Sequence, residues 1–226
     1  MSRSDCVGQK TGRGNMVDIL KIKCPYDGEN LFSFLKIEKE GEQNNRIKKR
    51  IPFLFSLVEK AMEIRSVRVE GEKDFITGIR EVDECKKQIL CLIYSSQSFV
   101  RMIEEMTEQG EYLDAYLLQE IGTWLIFRTG EMLCEKISRT EEKNQSYLTS
   151  RYFPGEKGIP IELQENFLQI IKRQTDIPVG ITKGGMLVPE KSMIFCLGSD
   201  PSNQKKCLLQ SCKNCMNKKC SYRKKD

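Results

Sequence analysis

The chain closes on four cysteines within fourteen residues, Cys207-x4-Cys212-x2-Cys215-x4-Cys220. In a reducing compartment, thiolates spaced this closely read as ligands of a metal rather than as disulfide partners. An all-cysteine set suits a closed, tetrahedral structural zinc. The first three cysteines also repeat the C-x4-C-x2-C spacing of plant-type ferredoxins, although the fourth follows too soon for that arrangement. Zinc and an iron–sulfur cluster both fit the residues. Between Lys205 and Lys225 there are eight lysines and arginines, opposed only by Asp226. They balance the thiolate charge. A nucleic-acid-binding role is disfavoured, because Tyr222 is the only aromatic residue there on which a base could stack.

There is no histidine anywhere in the chain. That removes the commonest general base, every Ser–His or Cys–His nucleophile pair and every histidine-containing zinc site. The remaining cysteines, Cys6, Cys24, Cys85, Cys91, Cys134 and Cys196, are scattered and read as buried or idle thiols.

A second stretch, Arg151–Ser192, collects Pro154, Pro160, Pro178 and Pro189 with five of the sixteen glycines. Proline fixes φ and glycine opens conformations other residues avoid, so this density marks a shaped backbone. Arg151 stands at its entrance, three residues ahead of the Pro154-Gly155 pair.

The elements that must position these residues are legible in part. Residues 1–28 are polar and aperiodic and are expected to be a mobile extension, with one domain over 29–200 and a cysteine-rich tail over 201–226. Short helices are expected at 29–36 and 98–108, and an amphipathic one at 46–64 with Pro52 in its first turn or kinking it. A long helix over 111–137 should bury Leu113, Leu117, Ile121, Trp124, Leu125 and Met132, with SRTEEKNQS following as a loop. The best strand is Ile89–Tyr94, apolar on both faces and so central in a sheet. Further strands are expected at 66–70, 74–79, 179–182, 186–188 and 193–197, and a helix at 161–172. Strands and helices without βαβ alternation indicate an α+β fold.

With 39% apolar and 31% charged residues in a chain of 226, the composition is that of an ordinary globular domain. The net charge of +5 comes without a basic stripe through the body. The longest apolar run, six residues, cannot span a bilayer, and the first residues lack a secretory segment. A cytoplasmic location with no membrane partner is expected.

The segments GEYLDAYLLQEIG, RYFPGEKGIPIELQ, MLVPEKS and the closing cysteines with CSYR resemble the activation domain of cobalamin-dependent methionine synthase. They look most like its stand-alone bacterial relatives with a cysteine tail. The resemblance implies a single C-shaped α+β domain with a twisted antiparallel sheet flanked by helices. It implies binding of S-adenosylmethionine and assistance in the reductive methylation of a corrinoid. The family signature is an arginine followed by Pro-Gly-Tyr, matched here by Arg151, Pro154 and Gly155, with Glu156 at the tyrosine position. Arginine's planar fork suits the ligand's carboxylate, the proline holds the turn and the glycine admits backbone close to the ligand. Glu156 could face the sulfonium or ammonium. The family also places a carboxylate midway along the long helix, where this chain has Ile126 and Phe127.

Without a histidine to offer cobalt, the corrinoid would sit on a partner methyltransferase or corrinoid protein. Methyl transfer from a sulfonium to cobalt needs alignment and desolvation, so binding residues are nominated and no catalytic ones. Rescue of an oxidised corrinoid needs an electron, which favours an iron–sulfur cluster in the tail and an electron donor. The alternative is a non-catalytic interaction module with a degenerate pocket and a structural zinc tail.

Overall fold

An apolar run such as Ile89–Tyr94 can bury both its faces only as an inner strand. It does so here. The computed structural model describes residues 7–10, 16–21, 23–71, 76–156 and 158–203. The elements run β1 (Val7–Lys10), β2 (Met16–Lys21), α1 (Gly28–Phe34), α2 (Glu42–Ala61), β3 (Arg65–Gly71), α3 (Arg80–Asp83) and β4 (Lys87–Tyr94). They continue α4 (Gln97–Glu108), α5 (Tyr112–Lys143), β5 (Tyr147–Leu148), α6 (Leu163–Lys172), β6 (Gly180–Ile181), β7 (Leu187–Val188) and β8 (Ser192–Asp200). Six strands form one antiparallel sheet in the order β1-β2-β3-β4-β8-β5, and β6 pairs with β7 in a separate hairpin. The class is α+β, as the sequence indicates. The tail cysteines Cys207, Cys212, Cys215 and Cys220, together with Cys6, lie outside the described residues.

Alternation along β4 divides the interior in two. Ile89, Cys91 and Ile93 enter a core with Leu31 of α1, Leu54 and Val58 of α2, Phe99 of α4 and Trp124 of α5. Leu90, Leu92 and Tyr94 enter a second core with Val82 of α3, Phe167 and Ile171 of α6 and Leu187 of β7. Helices therefore cover both faces of the sheet.

Several expectations change, among them the strand expected at 74–79, of which residues 76–79 form no strand. Residues 7–10 and 16–21, placed by the sequence in a mobile extension, are strands, and β2 pairs with β3 from Met16↔Glu70 to Lys21↔Arg65. A run as short as VDILK alternates too little to be legible; the hydrogen bonds of β3 and the burial of Val17 and Leu20 hold it. The helix expected from residue 46 starts at Glu42, so Pro52 lies in its interior and removes the bond to the Lys48 carbonyl. Burial of Ile51, Leu54, Phe55 and Val58 offsets that loss. In α5, Leu117, Ile121, Trp124 and Leu125 are buried and Met132 packs against the core, but Leu113 is 58% exposed. Asp114 turns inward in its place, accepting from Arg50 Nε at 2.9 Å.

The polar segment expected as a loop remains helical to Lys143 because Glu141 is anchored. It is 2% exposed and accepts from Lys87 Nζ at 2.8 Å and from Ser199 Oγ at 2.6 Å. Lys87 also faces Glu70 at 3.6 Å, Glu70 lies 3.1 Å from Arg68 Nε, and Arg68 Nη2 donates to Asp18 at 2.6 Å. Burial pushes the Glu70 carboxyl above the usual carboxylate range, and Arg68 and Lys87 partly offset it. This network ties β2, β3, β4, β8 and α5 together. No helix among the described residues is long and apolar enough to cross a membrane.

Candidate functional site

A change of register puts Arg151 where it is. Tyr147↔Asp200 and Leu148↔Ser199 share one pairing register along β8, whereas Tyr152↔Cys196 is one residue out. One extra residue therefore lies on the 149–152 side, a β-bulge. Side chains alternate along a strand, so the bulge inverts the faces beyond it. Tyr152 joins the core under α6, while Phe153 joins the core under α5. Arg151 follows Phe153. Its guanidinium carbon lies 5.6 Å from the Phe153 ring centroid and 5.9 Å from that of Phe195.

Arg151 is 8% exposed, and its Nε is buried with no hydrogen-bond partner among the described residues. No carboxylate among them pairs with its guanidinium. A buried cation of this kind is costly unless an anion is supplied. The two aromatic faces meet only part of that cost.

The space for the guanidinium comes from Gly130, inside α5. A Cβ on Gly130 would lie 2.4 Å from Met193 Cε and 3.5 Å from Arg151 Nη1. Glycine costs about 1 kcal/mol in a helix interior, so this position trades helix stability for room. Gly130→Val is expected to destabilise the fold by about 1–3 kcal/mol through overpacking and to displace Arg151. Urea unfolding checks the first effect, and a measured loss below about 0.5 kcal/mol would count against this packing.

Beyond Arg151 the chain turns. Pro154 is buried, and Gly155 sits at φ +86 with its amide donating to the Ile159 carbonyl at 2.9 Å. A Cβ on Gly155 would meet Ile161 Cδ1 at 3.1 Å, so backbone conformation and space both require glycine. Glu156 is exposed, and its amide closes the turn by donating to the Phe153 carbonyl at 3.1 Å.

A notch of about 280 Å3 opens between α5 and the start of β8. Thr123, Ile126, Phe127, Glu190, Lys191, Ser192 and Met193 line it. Met193 belongs both to the notch and to the packing around Gly130 and Arg151. The Lys191 side chain is only 13% exposed and pairs with Glu190 at 3.3 Å. Arg151 and Pro154 are thus both buried, whereas Gly155 and Glu156 are exposed. Sequence reasoning missed Gly130, Met193, Lys191 and the two phenylalanines. A glycine inside a long helical pattern was the available signal for Gly130.

The scattered thiols of Cys24, Cys85, Cys91, Cys134 and Cys196 are buried and form no disulfide among the described residues. Burial pushes the Cys24 thiol up to about 11 and raises Cys91 well above its usual range, which leaves both unreactive. Among the described residues no group of three or more metal-ligating side chains comes together.

No protein-family model matches this sequence, and no curated relative matches it. Among solved structures, the crystal structure of the MetH reactivation domain bound to AdoHcy is similar. The TM-score is 0.55 at 11% identity, over 84% of this chain and 80% of that one. At that identity the likeness is one of architecture: the chain has a fold like that of the MetH reactivation domain.

Proposed function

We propose that the chain binds S-adenosylmethionine at Arg151 and the Pro154–Glu156 turn and assists reductive methylation of a corrinoid held by a partner methyltransferase or corrinoid protein. The observation that carries this reading is Arg151, buried, cationic and without a carboxylate among the described residues. The ligand's carboxylate would supply the missing anion as a two-point partner for the guanidinium. Lys191, nearly buried beside the notch, would add a second cation, and the carboxylates of Glu156 and Glu190 suit the ligand's ammonium and sulfonium. Ile126, Phe127 and Met193 offer apolar wall to the adenine. The solved neighbour of this fold was crystallised with AdoHcy, the species left when S-adenosylmethionine gives up its methyl group. S-adenosylmethionine would supply that methyl; the chain's own residues bind, orient and exclude water.

Calorimetric titration is expected to show one site for S-adenosylmethionine and one for AdoHcy, each displacing the other. Absence of binding at millimolar ligand would sink this reading. It would leave the alternative, an interaction module with a degenerate pocket, which Ile126 and Phe127 favour by standing where the resemblance implies a carboxylate.

The tail enters the same proposal. Cys207, Cys212, Cys215 and Cys220 would hold an iron–sulfur cluster that passes an electron from a donor toward the corrinoid. Anaerobically purified protein is expected to contain iron and to absorb visible light. Replacing all four cysteines with serine should abolish both. Colourless protein containing zinc would assign the tail a structural role instead.

A further inference from the structure

We infer that Met193 is a gate between the notch and Arg151, swung aside by a ligand that brings a carboxylate to the guanidinium. Its purpose rests on the ligand binding proposed at Arg151. Met193 and Phe195 are two residues apart on β8 and share the face that packs under α5. The Phe195 ring centroid is 5.9 Å from the Arg151 guanidinium carbon. Met193 lines the notch, and Arg151 is not among the residues that do. Met193 Cε and Arg151 Nη1 lie 2.4 Å and 3.5 Å from one point, the place a Cβ on Gly130 would take. One end of the methionine is therefore in the notch wall and the other is against the guanidinium. Met193 is the partition.

Its chemistry suits a moving part. Methionine is unbranched, with three rotatable bonds and a polarisable thioether that exchanges one set of apolar contacts for another. A β-branched residue would be stiff at χ1. Gly130 is what allows closure, since the thioether methyl rests where any larger residue would put its Cβ. With the gate closed, Arg151 is 8% exposed and its Nε has no acceptor among the described residues. The closed notch, about 280 Å3, also falls short of the roughly 300–1,000 Å3 of a pocket that encloses a whole small-molecule ligand. Opening costs the apolar contacts of one side chain. A carboxylate reaching Arg151 offsets that cost with two charge-assisted hydrogen bonds. An adenosyl thioether without the amino-acid group, such as 5′-methylthioadenosine, gains nothing from opening and stays in the outer notch. Met193 thus sets which ligands use Arg151.

Two variants test this. Gly130→Ala props the gate open: its Cβ displaces Met193 Cε but stands at ordinary contact distance, 3.5 Å and 3.4 Å, from Arg151 Nη1 and Ile93 Cδ1. Its unfolding midpoint should match or exceed the parent's, because alanine is favoured over glycine inside a helix. Met193→Ala removes the gate, and where it loosens the core Gly130→Ala decides alone. Each protein is treated with butanedione, a small arginine reagent, and modification of Arg151 is followed by peptide mass spectrometry. Arg68, 6% exposed, is the internal reference. Arg151 in Gly130→Ala is expected to react at least about tenfold faster than in the parent, as when a minor open state becomes the dominant one, with Arg68 unchanged. By calorimetry AdoHcy should bind Gly130→Ala up to about tenfold more tightly, and 5′-methylthioadenosine within about twofold of its affinity for the parent. The gate is overturned if Arg151 in Gly130→Ala reacts within about twofold of the parent rate, if Arg68 accelerates equally, or if both ligands gain equally. Faster labelling of Arg151 with no AdoHcy binding to any of the proteins would leave Met193 the gate and sink the S-adenosylmethionine reading, so the two failures are separate results.

Discussion

Arg151→Met is expected to weaken S-adenosylmethionine binding by about 2–4 kcal/mol, roughly 30- to 1000-fold, while leaving the fold as stable as before. The two halves of this expectation have one origin. Arg151 is a buried cation whose Nε has no hydrogen-bond partner among the described residues, and the faces of Phe153 and Phe195 lie beside its guanidinium. Methionine fills a similar volume and packs against the same rings, so removing the charge also removes its desolvation penalty. Unfolding free energy should therefore change by less than about 1 kcal/mol or rise. With ligand present the balance reverses, because the carboxylate loses its two-point partner. Arg151→Lys should fall between the two, keeping the charge and losing the fork. Calorimetry beside urea unfolding separates the effects. A methionine variant that binds within threefold of the parent, or that is strongly destabilised, would make Arg151 a structural residue.

The second large effect concerns Glu141. Glu141→Ala is expected to cost about 3 kcal/mol, because it leaves Lys87 and the Ser199 hydroxyl without their shared acceptor in a buried site. In a chain of this size that corresponds to a fall in Tm of roughly 6–12 °C. Among the described residues Lys87 would retain Glu70, at 3.6 Å. Glu141→Gln keeps an acceptor for Ser199 and should cost about half as much. The end of α5 should fray in the alanine variant, since Glu141 ties the polar last turns to the sheet; faster amide exchange over residues 138–143 would register it. A loss below about 1 kcal/mol would mean that the network does not hold these elements together.

How much of this was legible in the sequence follows from the range over which each feature is specified. The strand at 89–94, the buried stripe of α5 from Leu117 to Leu125 and the β6–β7 hairpin are written in local periodicity, and each stands where that periodicity puts it. The turn at Pro154-Gly155 is equally local, since proline and the positive φ of glycine define it without reference to the rest of the chain. The Arg151 nomination also came from the sequence, through the residue types around it.

What only the tertiary structure decided is where those residues point. Strand β2 exists through hydrogen bonds to β3, more than forty residues away in the chain, and β1 through its pairing with β2. The last turns of α5 are helical through Glu141 and its partners on β4 and β8. The bulge opposite β8 decides that Arg151 faces α5 rather than α6, and Gly130 decides that there is room for it. Residue type and spacing are local quantities, and the sequence states them directly. Register, burial and the pairing of charges depend on which distant segments meet, and that is settled only when the sheet assembles.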